Sequence, residues 1–378
     1  MSRQKRILSF LQSREAEMLE LLGRFTNAPS PSTDKPHTDR FAEMVAEEWR
    51  SLGAAVTVIP QAEYGSHVKA EWNCGDESIL VLCHMDTVWD ADETRKRPFR
   101  VEGGKAYGPG VYDMKSGIVQ TIYAVKALID LGMVPGKKIV VLHTSDEEIG
   151  SPSSRPIIEE EAMKAAAVLV AEPSEGPGAL KTWRKGVGGF TVSITGRASH
   201  AGADYERGVS AITEAGRQIL YLHDLTDLEE GTTVNVGVVR AGTRSNVVAE
   251  QAALDVDVRV VAMDAAEKLL SNMRNLRPFD PRIKLSVEGG LNRPPMERNE
   301  KNLRLFRLAQ LIGREIGIEL EEAGTGGGSD GNFTSALGIP TLDGLGSIGD
   351  DAHAVTEYVI TSSLPERAAL LAGLMLNI

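Results

Sequence analysis

The chain has 378 residues, comfortable for two domains, with 42% hydrophobic and 25% charged residues, as in ordinary globular proteins. A formal net charge of -12 argues against nucleic acid or an anionic membrane as the main partner, and no run of ~18 apolar residues is present to span a bilayer. Cys74 and Cys83 make no disulfide framework and no signal-peptide core follows the basic start, so a cytoplasmic, reducing location is expected.

Apolar residues at helical spacing predict one helix over 3–24, ended by Asn27-Ala28-Pro29-Ser30-Pro31-Ser32, and a second over about 38–52. Short strands near 54–59 and 67–73 lead to Ile79–Cys83, five apolar residues in a row that read as a strand buried on both faces. It ends in His84 and Asp86, which share a side because residues two apart on an extended chain point the same way. A buried histidine beside a capping aspartate is the ordinary explanation; a metal ligand held by a carboxylate is the chemical one.

Tyr107-Gly108-Pro109-Gly110 forms a structured turn before a helix that begins near Ser116. Asp113 therefore precedes a helix N-terminus, either as a cap-region aspartate or as a ligand held by the turn. A second buried strand, 138–144, runs into Asp146-Glu147-Glu148, and a third, 167–171, into Glu172. Strands alternating with helices indicate a mostly parallel sheet, and active sites in such sheets gather beyond the strands' carboxyl ends. Three apolar strands that end in acid or histidine point to one site.

From about residue 182 the pattern becomes βαββαβ, the split βαβ sandwich, with strands at 187–195, 232–240, 251–261 and 283–290 and helices at 209–222 and 264–276. We expect an α/β/α catalytic domain, residues 1–181 and 294–378, interrupted by a ferredoxin-like domain at 182–293. Loops of the inserted domain carry His200 and Asn246. On its strand, Arg259 shares a face with Asp255 and Asp257, where it makes either a salt bridge or an anchor for a substrate carboxylate. Arg184 and Lys185 are expected to be solvated, and Lys115 to be structural. A glycine-rich stretch, 324–332, and a closing helix at 362–376 complete the chain. Gly327 and Gly328 form either a flexible loop or a place where backbone amides approach a carboxylate.

His84, Asp113, Glu148, Glu172 and His353 together are two histidines and three carboxylates. Such donors suit zinc, and less selectively cobalt or manganese. They can hold two ions if one carboxylate bridges. Glu147, next to a ligand but free of that duty, is the candidate general base.

His84-Met85-Asp86, Asp113-Met114-Lys115-Ser116-Gly117, Asp146-Glu147-Glu148-Ile149-Gly150, Ala171-Glu172-Pro173 and His353 together resemble the M20 family of dinuclear zinc peptidases and deacylases. Within it, the likeness is to the glutamate carboxypeptidase branch. It extends to the segments 107–110, 196–202 and 326–330. The resemblance implies two Zn2+ per subunit, with His84 and Glu172 on one, Glu148 and His353 on the other, and Asp113 between them. It also implies a cis bond at Asp113-Met114, Asp86 orienting His84, His200 stabilising the oxyanion from the partner subunit, and a homodimer formed through the inserted lid domain. The implied reaction is hydrolysis of the amide bond to a C-terminal amino acid, glutamate first. The alternative is an N-acyl amino-acid deacylase of the acetylornithine or succinyl-diaminopimelate type. A metal-free two-carboxylate glycosidase would leave His84 and His353 without a task. A catalytically dead relative would not need every ligand position and Glu147 filled.

Overall fold

The computed structural model describes residues 2–73, 75 and 77–378; Cys74 lies outside them, and Cys83 is a free, buried thiol. Two compact units emerge: Met1–Trp183 with Arg298–Thr325 and Ser329–Ile378, and Arg184–Glu297 with Gly326–Gly328.

The first unit is built on a six-stranded sheet. Its strands lie in the order Ala55–Ile59, His67–Trp72, Lys138–Thr144, Ser78–His84, Ala165–Val170, Thr341–Leu342. The first three strands join antiparallel, Ala55–Ile59 to His67–Trp72 and His67–Trp72 to Lys138–Thr144, and the remaining pairs are parallel. Every residue of Ser78–His84 is buried. The alternation of a strand sends Ile79, Val81 and Cys83 to one face, where they pack with the helices Ser116–Asp130 and Ser363–Asn377. Leu80 and Leu82 face the other way, against Ile158, Ala162 and Phe333 from the helices Arg155–Ala162 and Gly331–Ala336. Each such aliphatic side chain contributes about 1.5–3 kcal/mol by leaving water, so the strand is fixed from both sides. Its neighbour Lys138–Thr144 carries a buried imidazole, His143, which accepts a 2.7 Å hydrogen bond from the Trp49 indole. Burial pushes His143 down to about 3, so it stays neutral in that core.

Two of the regions that differ from the sequence expectation lie in the first unit. The first helix is two, Arg3–Gln12 and Glu15–Thr26. The Ser13 hydroxyl donates to the Phe10 carbonyl at 2.6 Å and closes the first helix locally. The apolar spacing hides this break, because Leu11 and Met18 are two full turns apart. The second is a small antiparallel sheet, in which Arg100–Glu102 turns through Gly103 and Gly104, both with positive φ, into Lys105–Tyr107. Tyr358–Ile360 and Gly349–Asp350 complete it. These strands are two or three residues long and carry too little pattern to be read.

In the second unit a four-stranded antiparallel sheet has the order Thr233–Ala241, Gln251–Val260, Gly186–Thr195, Lys284–Arg293. Its core is Phe190, Val192, Ile194, Leu254, Val256 and Val258, closed by Ala215 and Leu222 of Ala211–His223 and by Leu269 and Met273 of Met263–Arg274. Burial alternates along Gln251–Val260, leaving Asp255, Asp257 and Arg259 on the face opposite the core.

Gly117 sets how closely the helix Ser116–Asp130 approaches the end of Ala165–Val170. A Cβ there would overlap the Ala171 carbonyl oxygen and press on the Met114 methyl. Gly117→Ala should therefore lower stability by about 1–3 kcal/mol in urea unfolding. Gly136→Ala, where a Cβ meets nothing within 4 Å, should stay within about 0.5 kcal/mol.

Candidate active site

The parallel strands deliver their ends to one place. His84 closes its strand beside Thr144, and the segments after Thr144 and Val170 bring Glu148 and Glu172. Asp113 arrives from the turn Val111–Lys115, and its bond to Met114 is cis. His84 Nε2 lies 2.9 Å from Asp113 Oδ1 and 3.5 Å from Glu172 Oε1. His353 Nε2 lies 3.3 Å from Asp113 Oδ2 and 3.2 Å from Glu148 Oε2. The two oxygens of Asp113 thus face two different histidines. Each group, His84 with Asp113 and Glu172, and Asp113 with Glu148 and His353, offers ligand atoms all within 4.8 Å of one another.

These donors fit divalent cations. The His84 Nδ1 lies 3.0 Å from the backbone carbonyl of Asp86, which fixes its proton there and turns the Nε2 lone pair toward the acids. The Asp86 carboxylate is farther from that nitrogen, at 3.5 Å. It is the carbonyl of Asp86, more than the expected carboxylate, that orients His84. Among the described residues, Glu148 Oε1 is buried with no hydrogen-bond partner, as an oxygen reserved for a ligand would be.

Charge follows the same logic. Burial opposes charging of His84, but hydrogen bonds to Asp113 and Asp86 raise its pKa well above the ordinary value. Hydrogen bonds to Asp113 and Glu148 lift His353 to about 10. Burial would raise the Asp113 carboxyl, yet hydrogen bonds from His353 and His84 hold it far below the usual carboxylate range. Glu148 is raised to about 7, chiefly by burial, against the pull of His353. The acids demand positive charge, and the imidazoles respond by holding protons tightly. A divalent cation answers the same demand.

Asp86 is fully buried and does something the sequence did not disclose. Its Oδ2 accepts hydrogen bonds from the Ser32 hydroxyl at 2.7 Å and the Glu148 N–H at 3.1 Å, and its Oδ1 from the Glu147 N–H at 3.2 Å. It therefore seats the short turn Glu147–Ile149 on the end of the neighbouring strand.

Glu357 was also missed. It is buried, and its Oε1 accepts from the N–H groups of Tyr112 and Asp113 at 2.9 and 3.0 Å. Its Oε2 accepts from the Gly110 N–H at 2.9 Å and the Trp89 indole at 3.0 Å. Its one sequence signal is the one that marked His84 and Glu172, an ionisable residue against an apolar strand. Lys115 is buried too. It donates to the Ala28 carbonyl at 2.7 Å and lies over the Phe41 ring, ties that hold the chain on the far side of the turn.

The other expected residues belong to the second unit. His200 is exposed, and its Nδ1 accepts from the N–H groups of Gly202 and Ala203, both at 3.1 Å. This leaves Nε2 as the proton-bearing donor. Asn246 is a neighbour, its carbonyl accepting from the Ala201 N–H at 3.0 Å. Arg259 makes a two-pronged pair with Asp257, 2.9 Å on each side, and reaches the Gly326 carbonyl at 3.3 Å. Arg184 is buried rather than solvated: its guanidinium donates to the carbonyls of Gly327 and Gly328, each at 3.3 Å. Backbone carbonyls attract it more than water does because the glycines leave them open to a side chain.

A model of peptidase family M20/M25/M40 matches residues 80–377. The chain belongs to this family. As an M20 peptidase homologue it is a hydrolytic enzyme, and the acids and histidines above are candidate ligands for that family's metal. It is 36% identical over 371 residues to carboxypeptidase G2 of Pseudomonas sp. (strain RS-16), covering 96% of this chain and 89% of that one. Acetylornithine deacetylase of Klebsiella pneumoniae is 28% identical over 264 residues, 64% of this chain and 67% of that one. Among solved structures, aminopeptidase PepT of Bacillus cereus matches the fold with a TM-score of 0.81 at 20% identity, covering 96% of this chain and 98% of that one.

Asp86→Ala leaves the partly buried N–H groups of Glu147 and Glu148 without their acceptor, at roughly 1–3 kcal/mol each before water enters, and leaves the Ser32 hydroxyl only its longer bond to the Thr87 carbonyl, at 3.3 Å. Urea unfolding should show a loss of at least about 2 kcal/mol, with Asp86→Asn losing less because its amide oxygen still accepts. An unchanged midpoint would remove the seating role.

Proposed function

We propose that the chain is a cytoplasmic metallocarboxypeptidase that releases a C-terminal amino acid, glutamate first, from a peptide or N-acyl substrate. One observation carries the metal chemistry: the two oxygens of Asp113 face two separate ligand groups. His84 and Glu172 would hold one Zn2+, Glu148 and His353 the other, with Asp113 shared; Co2+ or Mn2+ suits the same donors. The substrate preference is supported by the likeness to carboxypeptidase G2 across nearly the whole chain.

When bound, the two ions supply Lewis acidity that activates a water molecule and polarises the scissile carbonyl. Glu147, beside Glu148 and with its N–H held by Asp86, takes the proton of the attacking water. It then passes that proton to the departing amine nitrogen. His200 of the second copy in the dimer would direct its Nε2–H at the oxygen on which negative charge develops. Arg259, Asn246 and the backbone of Gly327 and Gly328 are the proposed anchors for the substrate's α-carboxylate. Asp257 fixes the plane of the Arg259 guanidinium while occupying one of its edges.

The second unit is proposed to join two copies into a homodimer. Its edge strand Thr233–Ala241 has one unpaired side and exposes Val238 and Val239 at 46% and 49%. Leu220 and Ile212 project from the helix Ala211–His223 at 70% and 49% exposure. An open edge beside apolar side chains is a template for pairing with a second strand. In sedimentation velocity the wild type should run as a dimer and Val238→Asp as a monomer. A monomeric wild type would overturn this assembly.

Activity is tested with zinc-loaded protein on pteroylglutamate, peptides ending in glutamate, N-acetylornithine and N-succinyl-diaminopimelate, each with and without a chelator. Chelator-sensitive glutamate release, with little attack on the others, is expected. Faster turnover of the acetyl or succinyl substrate would move the enzyme to the deacylases. Glu147→Gln should lower kcat by at least about 100-fold with metal content unchanged; normal turnover in that variant would remove the proposed base.

A further inference from the structure

Glu357 is 1% exposed, a carboxylate taken out of water. Burial raises its pKa, while the N–H groups of Asp113, Tyr112 and Gly110 favour the charged form. Two of its four donors sit on each oxygen. Three are consecutive or near-consecutive backbone groups of the turn that carries Asp113, and the fourth is the Trp89 indole. An amide in this place has one acceptor oxygen. Whichever way it turned, its NH2 would face two N–H donors, so the arrangement selects a carboxylate over glutamine.

The same short segment carries His353. Arg97 stacks on the Trp89 ring at 4.1 Å and donates to the Val355 carbonyl at 3.2 Å, tying the segment 353–357 to the loop that holds Trp89. One stretch of chain thus presents a candidate ligand to Asp113 Oδ2 and, four residues later, grips the backbone of Asp113 itself.

We propose that Glu357 is a positioning residue. It fixes the peptide plane of Asp113 so that one carboxylate is offered to two metal ions at once. The inference rests on the reading of Asp113 as the bridge. Glu357 touches neither substrate nor metal; it acts through the turn at Gly110–Asp113.

The test is zinc titration into metal-depleted full-length protein against a chromophoric chelator, paired with magnetic measurement of the cobalt-loaded protein. Wild type should bind two ions per chain, and the two cobalt ions should be magnetically coupled through their shared ligand. Glu357→Gln should lose about 10–100-fold in affinity for the more weakly held ion, the usual scale for a residue that supports a ligand. Its cobalt coupling should weaken while its circular dichroism stays that of wild type. Trp89→Phe keeps the stacking surface for Arg97 and removes one donor; a several-fold loss of affinity is expected, and this variant decides the matter if Glu357→Gln does not fold. A merely structural role would lower the melting temperature and leave the cobalt coupling intact. Wild-type affinities and coupling in the folded variants would overturn the inference. If Asp113→Asn left both affinities unchanged, the bridging reading would fall, and the inference with it.

Discussion

A single carboxylate shared between two imidazoles is the constraint on which the first unit turns. Asp113 can meet His84 and His353 together only if its backbone is held at a set height above the strand ends. Gly117 lets the following helix close on Ala171, Lys115 pins the turn to Ala28, and Glu357 grips its N–H groups from the other side. Around it, Glu148 and Glu172 place further negative charge in a poorly solvated space. Like charges so close in a low dielectric repel strongly, so the site is stable only while something positive sits among them.

The loops around Asp113 are held by a second ring of buried carboxylates whose charge is absorbed by the backbone and by small hydroxyl side chains. Asp86 takes Ser32 and the N–H groups of Glu147 and Glu148. Asp146 takes the N–H and hydroxyl of Ser153 and the N–H of Ser154. Asp330 takes the hydroxyls of Thr144 and Ser151 at 3.0 and 2.5 Å. Each bond stabilises modestly, yet each acid deprived of its donors would be a costly buried charge. The chain after each strand is therefore stiff where a reacting carbonyl would need fixed partners.

The central strands were legible because their apolar runs are unbroken and their ends change abruptly, as at Cys83-His84. Of the five candidate metal-site residues, His84, Glu148 and Glu172 stood out for the same reason, each following an apolar strand, and Asp113 by its place before a helix, whereas His353 lies in a turn that carries no such signal. The βαββαβ order of the second unit followed from strands that alternate cleanly, such as Gln251–Val260. What stayed hidden depends on partners far along the chain. Nothing local in Thr356-Glu357-Tyr358 says that its acid serves a turn nearly 250 residues earlier. Arg184 looked like a solvated hinge residue because glycine carbonyls beyond residue 325 are among its partners. The split at Ser13 escaped because the apolar stripe continues in phase across it.

The order in which these residues leave the ribosome has a consequence of its own. The second unit's strands and helices, 186–293, are complete while the first unit still lacks the helices Glu300–Ile316 and Ser363–Asn377, whose Phe306, Ala309, Leu370 and Leu371 close its core. The inserted module is complete first, whereas the first unit's core, with Ile79, Val81 and Ile139 covered only in part by the helix Ser116–Asp130, stays open until the last helices are made, a state that invites aggregation. His353 is made after the other four members of its cluster, so the nascent chain presents acids without their second imidazole. A metal ion held by the His353 group would find its full set of donors only at the end of synthesis.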